Sequence, residues 1–483
     1  MSKDTPPTNP SAGDGGTPVG GTTETCCPAD FNLSPCRIVK ADGGTLRIEA
    51  TELDGFPGGT YQWTTSSAKI RLTNQNSSTV TVEGLATPSA SRGAETITVT
   101  RTQDGCEAVT KTVDVTVARV KFSASPNQRY GFDDFDTPAD RTDDHICIKK
   151  SDYTFLQVDI EGGALGNDFD FVVDAVDTCI PVAPGAQASF DLRLNAGARD
   201  KAQTTLRAKV KCTPAVSFAD IKVHVYKEKV VQVVVAKIDA TDAGPNMRFP
   251  TADYASHAAT ANAKLKEAVV KYEITNFDAA NKVTPVALAS GTSTLTYDIK
   301  SGGGADLTAI STAMTGTGTK TRVAIIRDMK SVYYLSAAAA VGDTTLTVTA
   351  GSTFFHVGDT PPIDTGAKRE TLNITAVAGS TLTVAPLTKA HDAGAMIEFP
   401  AAGWSSDPIL IIEGSASLSV AKWTVLHEVG HRALTLKDII DRTDFMHFSQ
   451  SWTDYRLRYC PRTKNYPAGT TDTENQWEKI PRT

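Results

Sequence analysis

No run of eighteen consecutive apolar residues occurs anywhere in this 483-residue chain, so a membrane-spanning helix of ordinary length is not expected. The first sixteen residues, MSKDTPPTNPSAGDGG, hold one lysine and no apolar stretch, which leaves out a Sec-type signal peptide. Positive charge is not in excess either: 48 Lys and Arg against 55 Asp and Glu give a net charge of −7. No basic face for nucleic acid or anionic lipid follows from that balance. Cysteine is sparse, with eight in the chain and seven of them before residue 213. No second cysteine pair or histidine stands at finger spacing from Cys26, Cys27 and Cys36, so a structural zinc finger is not expected. The even count instead fits disulfides in an exported protein, with the remainder as ordinary buried thiols. What is present, 40% hydrophobic and 21% charged residues, is the composition of a soluble globular chain of about three folding units.

Residues 1–30 are rich in Pro, Gly, Thr and Ser and read as a disordered leader. From 31 to 118 short alternating runs (TLRIEA, YQWTT, KIRLT, STVTVEGL, ETITVTRT, KTVDVTVARV) are separated by turn chemistry such as DG, PGG and NQNSS. That spacing predicts an antiparallel sandwich with Trp63 as a core anchor. The GTYQW segment and Cys106 in TRTQDGCEAV resemble bacterial immunoglobulin-like modules. Residues 119–228 repeat the β character and predict a second sandwich. Its acidic stretch at 131–144 reads as a solvated loop, although clustered oxygens also suit calcium.

The pattern changes at 229. VVQVVVAKI is a continuous apolar run, as in a strand buried on both faces. DYASHAATANAKLKEAVVKY (253–272) has helical periodicity, and strands are expected at TPVAL, STLTYDI, TRVAIIRD and DPILIIEG. Residues 229–483 thus predict an α+β domain. DTTLTVTA (343–350) and GSTLTVAP (379–386), similar at an offset of 36, mark an inserted β module at about 337–399.

The chemistry lies in LHEVGHRALTLKD (426–438). With eight histidines and sixteen glutamates, random placement gives about 0.004 HExxH strings in a chain of this length. On a helix begun near Ser417 or Ser419, His427 and His431 share a face one turn apart and can reach one tetrahedral zinc ion. Glu428 is then the general base for a zinc-bound water, and the implied reaction is amide hydrolysis. Asp438, Asp441, Asp444 and His447 are the nearby donors for a third ligand; Lys437 is excluded as a cation at neutral pH. Tyr455, in SWTDYRLRYC, is a candidate oxyanion donor.

HEVGH, the donor-ending reversal LTLKD and the methionine of DFMHF resemble the metzincin active site. That resemblance implies a zincin-type catalytic fold, Asp438 as third ligand, Met446 as the floor under the metal and Zn²⁺ as cofactor. It departs from the family in having Leu434 and Lys437 where glycine and the last ligand stand. Either Leu434 is left-handed, at about 1–2 kcal/mol, or an added residue widens the turn. A gluzincin arrangement would use Glu474 or Glu478 instead. The functional expectation is a zinc endopeptidase behind immunoglobulin-like modules, exported without a Sec signal and resembling a type VI secretion effector. Its partners would be a protein or peptide substrate, a secretion-apparatus spike or an immunity protein, with no nucleic acid and no membrane span. The alternatives are an inactive structural or adhesive protein on a peptidase fold, and a zinc amidase acting on peptidoglycan or small peptides.

Overall fold

The computed structural model describes residues 31–52, 59–104, 106–133, 144–239, 252–276, 283–288, 295–298, 303–326, 329–349, 355–399, 403–404, 406–412, 418–436 and 476–482. The leader expected over 1–30 and most of the acidic loop lie outside them. Two compact units divide the chain: Met1–Arg119 with Ile160–Asp168 and Val210–Val216, and Val120–Asp159 with Phe169–Lys209 and Ser217–Thr483.

In the first unit the sequence alternation becomes a sandwich. One sheet orders Phe31–Leu33, Thr45–Glu52, Thr79–Gly84 and Ile70–Thr73; the other holds Thr60–Thr65, Glu95–Thr102 and Val109–Ala124, with Ile38–Lys40 parallel to the last. Along Thr45–Glu52 the side chains of Leu46, Ile48 and Ala50 are buried and their neighbours exposed, the period of two that one buried face demands. Trp63 is fully buried, as a core anchor should be, and its Nε1 donates to the Ser77 carbonyl at 2.7 Å. A disulfide joins Cys36 to Cys212, and Cys106 is disulfide-bonded as well. Cys147 and Cys179, both in the second unit, are buried free thiols.

The second unit begins with another sandwich. Phe169–Val173, Ala202–Val210, Ser217–Tyr226, His145–Lys149 and Phe132–Asp133 form one sheet, and Ser189–Ala196 pairs with both Tyr153–Glu161 and Cys179–Pro181 in the other. Two histidines meet in its interior: His145 Nδ1 lies 2.9 Å from His224 Nε2, both rings buried.

The α/β part of this unit carries β1 (Lys229–Asp239), α1 (Ala252–Leu265), β2 (Val270–Asn276), α2 (Gly304–Ala313), β3 (Thr321–Ile326), β4 (Ile409–Ile412), α3 (Leu418–Leu434) and α4 (Gln476–Lys479). The strands run parallel in the order β2, β1, β3, β4, with Gly403–Trp404 antiparallel at the β4 edge. Val231, Val233 and Val235 of β1 pack with α1 and α3, whereas Val234, Ala236 and Ile238 pack with α2. Burial on both faces accounts for the unbroken apolar run of β1. A parallel sheet with helices on both faces is α/β, which corrects the α+β expectation.

Two other boundaries differ. The helix expected over 253–272 ends at Leu265; a turn of 3₁₀ helix, Lys266–Ala268, follows, and left-handed Val269 (φ 57°) redirects the chain so that VKY enters β2. Leu295–Asp298, expected in the central sheet, instead pairs with Met329–Tyr334 in the sheet of the inserted module, which continues through Met396–Phe399, Pro362–Ile363 and Glu370–Thr371. The two similar stretches pair antiparallel with one another in a separate three-stranded sheet, Leu346 opposite Leu382, so the similarity marks two partner strands of one ladder.

Candidate functional site

Helix α3 follows β4 and lays Val425, Leu426, Val429 and Leu434 on the sheet, the i, i+3/i+4 spacing of one apolar stripe. That packing carries HEVGH inward with it. His427 and Glu428 are 4% and 7% exposed. The His427 and His431 rings stand edge to face, centroids 4.7 Å apart, and their Nε2 atoms are separated by 3.2 Å. His431 Nδ1 lies 2.8 Å from the Leu436 carbonyl oxygen. A carbonyl only accepts, so Nδ1 carries the proton and Nε2 keeps the lone pair, directed at its partner. Two imidazole nitrogens converging in this way, one held by a backbone carbonyl, are a donor set suited to a divalent cation.

The carbonyl is in place because of the turn that ends α3. Thr435 is left-handed (φ 58°), and the Leu436 amide returns to the Gly430 carbonyl at 3.1 Å. Sequence reasoning placed the reversal at Leu434 or dispensed with a left-handed residue; Leu434 stays helical and fully buried, and the reversal falls one residue later. A β-branched residue there costs on the order of 1–2 kcal/mol. The Thr435 hydroxyl, 2.7 Å from the Leu434 carbonyl oxygen and 3.1 Å from that of Lys479, helps to offset it.

A C-terminal clasp, also missed, supports the same turn. Trp477 and Ile480 are buried in the core shared with α3. The Arg482 guanidinium donates to the carbonyls of Lys227, Ala268, Val269 and Trp477 and lies 4.1 Å from the centre of the Tyr226 ring. Burial pulls its pKa down from the usual arginine range. An isolated arginine offers no sequence signal of this role.

Asp438, Met446, Tyr455 and His447 lie outside the described residues. Among the described residues no group of three or more His, Cys, Asp or Glu side chains could hold a metal ion. No family model matches the chain, and no curated protein matches it. The metzincin resemblance is therefore corrected: local spacing places two nitrogens and one glutamate, and among the described residues no third donor joins them. The labels drawn from that resemblance, the methionine turn and the type VI protease effector or toxin, go with it.

Several solved structures resemble parts of the chain at low identity. The surface layer protein SbsC, domains 4–9, is 18% identical over 46% of this chain and 35% of its own, with a TM-score of 0.15. Fibronectin(III)-like modules of Clostridium thermocellum CbhA are 13% identical over 41% of this chain and 93% of theirs, with a TM-score of 0.21. Invasin, a bacterial integrin-binding protein, is 15% identical over 41% of this chain and 38% of its own, with a TM-score of 0.21. This chain thus spans about a third of the length of the surface layer structure.

Proposed function

We propose that this is a modular protein in which β-sandwich units carry an α/β unit whose α3 site hydrolyses peptide bonds with the help of zinc. The observation that carries the reading is the convergence of His427 and His431 Nε2 at 3.2 Å beside buried Glu428. The two histidines would hold the ion, and zinc there supplies Lewis acidity at neutral pH. Glu428 accepts a proton from the attacking water and passes it to the departing amine. The Leu436 carbonyl keeps the His431 ring in its tautomer and orientation. Export to an oxidising compartment, with a protein or peptide as substrate, is part of the proposal and is supported by the Cys36–Cys212 disulfide.

A second reading, a structural or adhesive protein without turnover, is favoured by the two sandwiches and by the two-histidine donor set among the described residues. Peptide hydrolysis by the full chain separates them. Under the first reading Glu428→Gln lowers the rate by about 10²–10⁴-fold while zinc content is kept. Zinc-loaded wild type that cleaves no peptide, or a Glu428→Gln chain that cleaves as fast as wild type, selects the second.

A further inference from the structure

A cavity of about 480 Å³ opens beside the last turn of α3, lined by residues 314–322, Ser406, Asp407 and Arg432. Its wall is TGTGTKTR (315–322), the loop after α2 and the first two residues of β3, left-handed at Gly316 (φ 85°) and Gly318 (φ 64°). Four threonines at alternate positions from 315 to 321 bring hydroxyl groups to the lining, and three cations stand among them.

The charges do not balance. Arg322 Nε donates to one Asp407 oxygen at 2.9 Å and Arg432 contacts the other at 3.3 Å. One carboxylate therefore serves two guanidinium groups. Lys320, half-buried, forms no ion pair with any described residue. Two positive charges remain without a counter-charge in the lining. The Arg322 side chain is held at 18% exposure by Asp407 and by a bond to the Ser311 carbonyl at 3.0 Å, so its guanidinium is already oriented. The half-exposed Arg432 guanidinium, the flexible Lys320 ammonium and neighbouring hydroxyls form a donor set for an oxyanion.

We propose that this cavity binds an oxyanion, phosphate-bearing or carboxylate-bearing, with Lys320 and Arg432 contacting the ligand and Asp407 offsetting one of the three positive charges. The site is independent of zinc and of any hydrolytic step. Calorimetric titration of the full chain with inorganic pyrophosphate and, separately, succinate tests it. Saturable binding of either probe is expected, weakening as salt rises, and the tighter of the two names the ligand's chemistry. Lys320→Gln should weaken binding about tenfold, with an unchanged melting temperature, and Asp407→Asn should tighten it. Failure of both probes to bind at millimolar concentration overturns the proposal, as does wild-type affinity in both Lys320→Gln and Asp407→Asn.

Discussion

Two of the histidine sites in the second unit use their nitrogens in different ways. In the inserted module both ring nitrogens of His391 face carboxylates, Nδ1 at 3.1 Å from Asp364 and Nε2 at 2.7 Å from Glu370. On α3 one nitrogen of His431 is committed to a backbone carbonyl, and the other faces His427. The first arrangement has its counter-charges built in and serves as an internal brace. The second points two nitrogens at a common space, an arrangement in which two histidines can share one ligand. The residue type is the same in the two places, so the partners of the nitrogens decide the role.

The sharpest way to break this comparison is to remove the brace. His391→Ala removes the buried imidazole that both Asp364 and Glu370 contact and should cost about 3 kcal/mol, read by chemical denaturation. Zinc binding should not change, because the module's core and the α3 core are separate clusters. Next in size, Cys36→Ser should lower the stability of the first unit by about 2–4 kcal/mol, since the bridge to Cys212 closes a loop of 176 residues. The same loss should appear in wild type on reduction.

Acid sharpens the contrast by titration. Burial, reinforced by His145, drives the His224 pKa well below that of free imidazole. A depressed histidine pKa means that the unfolded chain takes up the proton first, so stability present above about pH 6.5 is lost as pH falls below it. Burial pushes Glu370 up, yet the Thr388 hydroxyl and amide, His391 and the Lys389 amide outweigh it and hold the carboxyl at about 2. Its contribution is present above the unfolded value and is lost between about pH 4.5 and 2. Unfolding followed against pH should therefore weaken in two steps, and His224→Phe should remove the upper one. The smallest effect belongs to the turn: Thr435→Gly relieves the left-handed strain but loses the hydroxyl contacts, a net change within about 1 kcal/mol by thermal melting.

Much of the fold was legible because its signals are local. Alternation along Thr45–Glu52 and the unbroken apolar run of β1 each follow from which faces a strand buries, and the two similar stretches of the inserted module are partner strands. HEVGH was legible for the same reason: a helix turn fixes the relation of His427 to His431. What failed depends on distant partners. Nothing near Cys36 announces Cys212, and nothing near Arg482 announces the carbonyls it caps in the 227–269 region. Val269 and Thr435, β-branched residues held left-handed, run against their own preference because the surrounding packing outweighs it. The metzincin expectation extended a two-nitrogen helix signal to a third donor, and among the described residues no group of three forms.

The central claim, that α3 and not the inserted module carries the metal site, is tested most directly by the zinc content of the purified full chain and its histidine variants. One zinc per chain in wild type, lost in His431→Ala and kept in His391→Ala, is the predicted result. A wild-type chain that binds no zinc at stoichiometric level, or loses it equally in both variants, would contradict it.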